Sequence, residues 1–441
     1  MCRFIVFSKF GKYVSVFGVW LFVFCNGPVS GHAGAGIESI DVVKPLNTDR
    51  IGIETTVGYL SAEDAVHYDW WCHETVTQSD AVLTPQYTQN SEGGVVAAIV
   101  DLLQARDTDQ GLYWTADGCD WTVSEGATGQ QVKDVALSPT NASVGVFVSD
   151  NDDRISGIYR STDAGRSWTP TDVQYADRQF RSLGFSRGES GAIWAAAIRH
   201  ETMQAWVFRS LDDGVTWSEH EVEVPEGSDP FTYLDVLAVD ASDPDTAWFV
   251  MGPYLDDRLL KTTDGGVSFQ EVYAVDGDII DGALDKWGGI WLVLSGNRIV
   301  YGAADGAFEE VDSVPMSLGV ETDSDGVMLA TRVFVEGGAL ARSTDGADFD
   351  VEQPFSSLRP LMHCADDSDY AEFCAPLWEG LESKIVKPET DTGIVEVDEH
   401  IDTADERSGG VKASGCCSSD AKYSSVGALF VFTLALGRRR R

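Results

Sequence analysis

Residues 158–168 read IYRSTDAGRSW, and the block returns along the chain. Full copies are VFRSLDDGVTW at 207–217 and LLKTTDGGVSF at 259–269. LYWTADGCDW at 112–121 and LARSTDGADF at 340–349 lack one residue of the turn. GYLSAEDAVHYDW at 58–70 and IVYGAADGAF at 299–308 are degenerate copies assigned by spacing. The blocks start near residues 61, 115, 161, 210, 262, 303 and 343, a period of 40–54 residues. Such a period marks a repeat architecture, which has to be settled before any single residue is given a role.

A second pattern lies between the blocks. VALSPTNASVGVFV (135–148), LGFSRGESGAIWAAA (183–197), LAVDASDPDTAWFV (237–250) and GALDKWGGIWLVL (282–294) each hold two short apolar runs around a polar turn. GVETDSDGVMLAT (319–331) is a weaker copy. These read as strand hairpins. Each period then supplies about four strands, the content of one propeller blade. The expected fold is all-β: a seven-bladed β-propeller of four-stranded antiparallel blades with a short helical C-terminal extension over SDYAEFCAPLWEGLESKIV (368–386). Six or eight blades stay open because two copies are degenerate. A strand from after residue 350 is expected to complete the first blade, since a closed ring leaves no sheet edges.

The repeated block is explained by hairpin closure. An aspartate in a tight turn accepts bonds from the N–H groups that follow it. Gly165, Gly214 and Gly266 supply backbone that a Cβ would hinder. Trp168, Trp217 and Phe269 can fold over the hairpin and bury apolar surface. Asp117, Asp163, Asp212, Asp264 and Asp345 are therefore read as structural, not catalytic.

The pattern S/T-x-D-x-G-x-T/S-W/F resembles the Asp-box, or BNR repeat, of sialidases, sortilin-type receptors, xyloglucanases and photosystem II assembly factors. The resemblance covers roughly residues 50–350 and implies a propeller with its boxes at the blade periphery. It implies no single activity. A sialidase would need an arginine cluster whose first member sits in an F/Y-R-I-P motif, where this chain has DRIG (49–52). Arg160, Arg209 and Arg342 share one slot of the repeat and so read as repeat features.

No nucleophile elbow, P-loop, dinucleotide fingerprint, H-E-x-x-H or zinc-spaced Cys/His set occurs, and DSDG (323–326) is too short for an EF-hand loop. No catalytic residue, metal or cofactor is expected. Asp134, Asp235 and Asp281 each precede the first apolar run of a repeat, which in a propeller is the innermost strand. They are candidate binding residues around the axial channel, for a cation or a basic partner. Ser182 holds the equivalent place in another repeat.

Formal net charge is −40, and seven of the 31 bases sit at the ends, as Arg3, Lys9, Lys12 and Arg438 to Arg441. Such a polyanion repels nucleic acid, which is set aside as a partner. Arg3, Lys9 and Lys12, the apolar YVSVFGVWLFVF (13–24) and the small residues of GHAGAG (31–36) read as a secretory leader. Export favours disulfides among Cys72, Cys119, Cys364 and Cys374. Closeness in sequence pairs Cys364 with Cys374, leaving Cys72 for Cys119.

After an acidic, aromatic-poor stretch come GCCSSD (415–420), VGALFVFTLALG (426–437) and RRRR (438–441). Twelve helical residues span about 18 Å, short of a bilayer's hydrocarbon core. The order of Cys416 and Cys417, apolar run and arginines resembles the MYXO-CTERM signal of myxobacterial surface proteins. That resemblance implies a membrane-held sorting protease and anchoring at the surface of a bacterium. The expected organisation is leader 1–33, propeller 37–360, disulfide-bearing extension 361–386, linker 387–415 and sorting segment 416–441. The expected function is an exported, non-catalytic binding or scaffold module for a glycan or protein ligand. A sialidase- or xyloglucanase-like carbohydrate hydrolase is the alternative.

Overall fold

The computed structural model describes residues 37–64, 67–78, 85–99, 111–151, 155–199, 201–202, 204–223, 233–252, 256–303 and 306–385. The segments expected to be leader, linker and sorting signal, with Cys416 and Cys417, lie outside them. Seven sheets follow one another over residues 39–71, 86–123, 132–175, 179–222, 233–274, 279–310 and 317–352, each of four antiparallel strands in chain order. These are blades 1 to 7. The first strands of successive blades lie against one another, and that of blade 7 against that of blade 1, so the ring closes. Each of the seven repeated blocks falls at the turn between the third and fourth strands of its blade.

The second strands carry the core. Gly145–Ser149, Ala247–Gly252, Ile290–Leu294 and Val327–Thr331 are buried along their whole length. Blades pack face to face, so both faces of these strands are covered and the apolar run is continuous, not alternating. Fourth strands such as Thr169–Tyr175 lie at the rim and are mostly exposed or half-buried. The core is thus a set of layers between blades. One holds Trp194 and Val207 of blade 4 with Leu234 and Phe249 of blade 5.

The end of the chain departs from expectation in two ways. Blade 1 already owns four strands, and Leu358–Pro360 adds a fifth, parallel to Tyr68–Trp71. The disulfides are Cys72–Cys374 and Cys119–Cys364, not the pairs that sequence closeness picked. The extension crosses the outer edge of blade 1 toward blade 2, so its two cysteines face different blades. Asp369 Oδ2 accepts the Trp121 N–H at 2.9 Å, and the Tyr370 N–H donates to the Cys119 carbonyl at 2.9 Å. A π-helical turn, Tyr370–Cys374, leads into the helix Ala375–Ile385. Among the described residues no helix is long and apolar enough to cross a membrane.

Candidate functional site

All seven innermost strands line one cavity of about 600 Å³ on the ring axis. It reaches the turns between first and second strands, where Lys44, Pro139, Arg187, Asp240 and Lys286 lie. Its walls are mixed, with apolar residues such as Val42, Val135, Leu183 and Val320 between polar and charged ones. Six acidic residues line it: Asp41, Asp134, Asp281 and Glu321 on the inner strands, and Asp240 and Asp285 at the turns. Glu54 sits behind Asp41, opposite it in the pairing of the first two strands of blade 1.

The aspartates proposed from sequence separate into two roles. Asp134 Oδ2 accepts the Leu183 N–H of blade 4 at 2.8 Å, and Asp281 Oδ2 accepts the Val320 N–H of blade 7 at 2.7 Å. Ser182 Oγ does the same for the Val236 N–H of blade 5, at 2.6 Å. These side chains latch the inner strands of blades 3, 4 and 6 to the inner strand of the next blade. Asp235 makes no such latch and is not among the cavity residues. It accepts two bonds from Arg181 of the preceding blade, at 3.0 and 3.3 Å.

Desolvation dominates the electrostatics. Burial lifts Asp134 to about 6, against the pull of its bonds from Leu183 and Gln86. Burial likewise lifts Asp281 to about 6 and Glu54 to about 8. Glu321 rises to about 7, restrained by Arg187. Asp41 is pushed well above the usual carboxylate range by burial and then by the charges of Asp281 and Glu54. Among the described residues, one basic side chain forms an ion pair with this group: Arg187, whose Nη1 lies 2.6 Å from Glu321 Oε2.

The repeated turns lie elsewhere and have a complete local account. Ser161 Oγ donates to Asp163 Oδ1 at 2.8 Å, and the Ser167 N–H and hydroxyl donate to the same carboxylate at 2.9 and 2.6 Å. Trp168 Nε1 donates to the Gly165 carbonyl at 3.0 Å. Asp212 and Asp264 repeat the pattern with Thr216 and Ser268. The shortened turns keep part of it: Asp345 accepts the Ala347 N–H, and Asp117 the Cys119 N–H. Arg160, Arg209 and Arg342 stay apart. Arg160 donates to the Asp213 carbonyl, Arg209 pairs with Asp245, and Arg342 pairs with Glu352 at 2.7 Å.

Sequence reasoning missed a tyrosine–carboxylate pair. Tyr233 Oη donates to Asp257, 2.6 and 2.7 Å from its two oxygens, and Asp257 also accepts the Ile279 N–H of blade 6. Burial, and then the bond to Asp257, push the phenol up. It is held protonated, the opposite of what a nucleophilic phenolate needs. The pair pins blade 5 to blade 6. Cys119, His363 and Cys364 also cluster, but both sulfurs are joined in the disulfide.

Topology and cavity together define a seven-bladed propeller with an acidic axial cavity. No protein-family model matches the chain, and no curated protein matches it. Solved structures do. A puromycin-hydrolysing peptidase of Mycobacterium tuberculosis aligns at 13% identity and a TM-score of 0.50, over 72% of this chain and 52% of that one. YCF48 of Cyanidioschyzon merolae aligns at 11% identity and a TM-score of 0.46, over 67% of this chain and 93% of that one. The GH74 enzyme of Niastella koreensis aligns at 12% identity and a TM-score of 0.27, over 71% of this chain and 62% of that one. At such identities the likeness concerns the fold alone.

Proposed function

We propose that the protein is an exported, non-catalytic binding module of the cell surface that takes its ligand at the axial cavity. The observation that carries this reading is the acidic lining: six acidic residues line the cavity, and one arginine pairs with them. A concave site that gathers charged groups among apolar ones supports a binding role. The two disulfides support an oxidising compartment. The leader-like start and the Cys416–Cys417 segment support surface anchoring, and the repeated turns are read as Asp-boxes.

Full-length protein screened on glycan and peptide arrays, beside a panel of glycosidase substrates, tests the reading. Binding without turnover is expected. Turnover that survives purification and is lost with Asp281→Asn would replace it with the hydrolase. Mass spectrometry of protein recovered from the host surface tests the anchor. A C-terminal peptide ending near Cys416 is expected, and one still ending in Arg441 would contradict sorting.

A further inference from the structure

Arg187 spans the axis of the ring. It belongs to the first turn of blade 4, and its partners belong to blades 7 and 1, which lie opposite in a seven-membered ring. Nη1 donates to Glu321 Oε2 at 2.6 Å, and Nη2 donates to the Lys44 carbonyl at 2.7 Å. The side chain keeps 29% of its surface exposed, so it can be reached from solvent.

The two other basic side chains of the wall are engaged away from the carboxylates. Lys44 Nζ donates to the carbonyls of Thr48 and Arg50. Lys286 Nζ donates to the Ser324 carbonyl at 2.7 Å and lies 4.9 Å over the Trp287 ring. The charges that act on Asp41 come from acids: Asp281, Glu54 and Glu321. The cavity therefore holds one seated guanidinium and more carboxyl groups than that group can pair with.

We propose that the axial cavity is a receptor for a guanidinium side chain presented by a basic segment of a partner protein, and that Arg187 holds the ligand's place in the free molecule. The inference rests on the binding-module reading and names the ligand chemistry of that site. A planar guanidinium suits a carboxylate and a carbonyl held side by side, because its donors form a rigid fork. An incoming arginine competes with Arg187 for Glu321 and finds the carboxyl groups of Asp281 and Asp41 in the same wall, which its positive charge favours in their ionised form. Ligand binding then displaces an internal competitor, so the affinity seen in solution is lowered by the fraction of molecules in which Arg187 is seated.

The test uses the full chain at physiological salt, which screens long-range attraction to the acidic surface. The probes are a short Gly/Ser peptide with one central arginine, the same peptide with citrulline, and free argininamide. Arg187→Gln should tighten binding of the arginine peptide by about tenfold or more. Glu321→Gln should weaken it by at least about tenfold, alone and combined with Arg187→Gln. Glu271→Gln, which removes one charge from the outer strand of blade 5, should change little. The citrulline peptide should not bind, and argininamide should bind more weakly than the peptide.

Equal effects of Glu321→Gln and Glu271→Gln would reduce the binding to bulk charge and overturn the proposal. So would an Arg187→Gln protein that binds no tighter than wild type. If Arg187→Gln fails to fold, Arg187→Lys carries the test, since an ammonium cannot bridge two acceptors as a fork. If no variant binds the arginine peptide while the arrays return another ligand, the guanidinium assignment falls and the binding-module reading stands. Tighter binding of argininamide than of the peptide would assign the site to a free small molecule and overturn the protein partner.

Discussion

Asp163 shows how one residue can look like chemistry and serve geometry. Its carboxylate accepts three hydrogen bonds from Ser161 and Ser167 within one turn. Burial pulls its pKa up, but those bonds win and hold it below the usual carboxylate value. Asp163→Ala should cost roughly 1–3 kcal/mol in chemical denaturation. It should leave ligand affinity of the folded protein unchanged, and lost binding at full stability would move the site to the turns. The neighbouring glycine does more than bend the chain. Gly165 has φ +87°, and a Cβ there would come within 2.3 Å of Val96 Cγ2 in blade 2. Ser124 Oγ of the segment after blade 2 donates to its carbonyl at 2.7 Å. Gly165→Ala should therefore destabilise by about 1–3 kcal/mol, through strain at positive φ and a wedge between blades. The turn was legible in the sequence because its partners lie within four residues. The contact with Val96 was not, because it crosses a blade boundary.

The inner strands explain why three aspartates that looked alike do not act alike. In blades 3 and 6 the bulge puts an extra residue just before Asp134 and Asp281. In blade 5 the bulge falls between Val236 and Ala238, after Asp235. A shift of that kind re-aims the side chain, and Asp235 meets Arg181 instead of the next strand's N–H. The raised carboxyls also make stability depend on pH. Asp134, Asp281, Glu321 and Glu54 titrate between about 6 and about 8 in the folded protein, against about 4 in an unfolded chain. The folded state binds more protons across that window, so stability falls as pH rises from about 4 to about 8. Asp264, held at about 2 by its bonds from Ser268, acts in the other direction below pH 4. The melting temperature should be higher at pH 5 than at pH 8.5. Asp281→Asn keeps an acceptor for the Val320 N–H and should flatten that slope. A level profile in wild type would show that these carboxyls carry no folding linkage.

For the whole molecule, the difficulty is to hold the last blade against the first. The first strands of blades 7 and 1 pack side by side, but the two blades belong to separate sheets. The extension adds the covalent tie. Its strand joins blade 1, Cys374 binds Cys72 and Cys364 binds Cys119, closing loops of 302 and 245 residues. Removing such a crosslink typically costs about 2–5 kcal/mol. A Cys72→Ser, Cys374→Ser double variant should melt earlier and be cut first by protease within residues 361–385. An unchanged melt and an unchanged first cut would show that the Cys119–Cys364 bridge and the packing of Tyr370 and Leu381 against blade 1 suffice without it.

Sequence by itself determined what short-range physics can encode. The seven blocks pointed to seven blades with six or eight left open, the apolar runs marked the strands, and the Ser/Thr-Asp-Gly-aromatic turn marked the closing hairpin in five of the blades. These depend on neighbours a few residues away, which spacing reveals. Tertiary structure alone decided the contacts that cross the ring. Arg187 reaches Glu321 over 134 positions, and Cys72 reaches Cys374 over 302. Closing seven blades brings opposite turns to one axis and desolvates the carboxylates gathered there. Neither distance nor dielectric is written in local spacing, so the charged cavity exists only once the ring has closed.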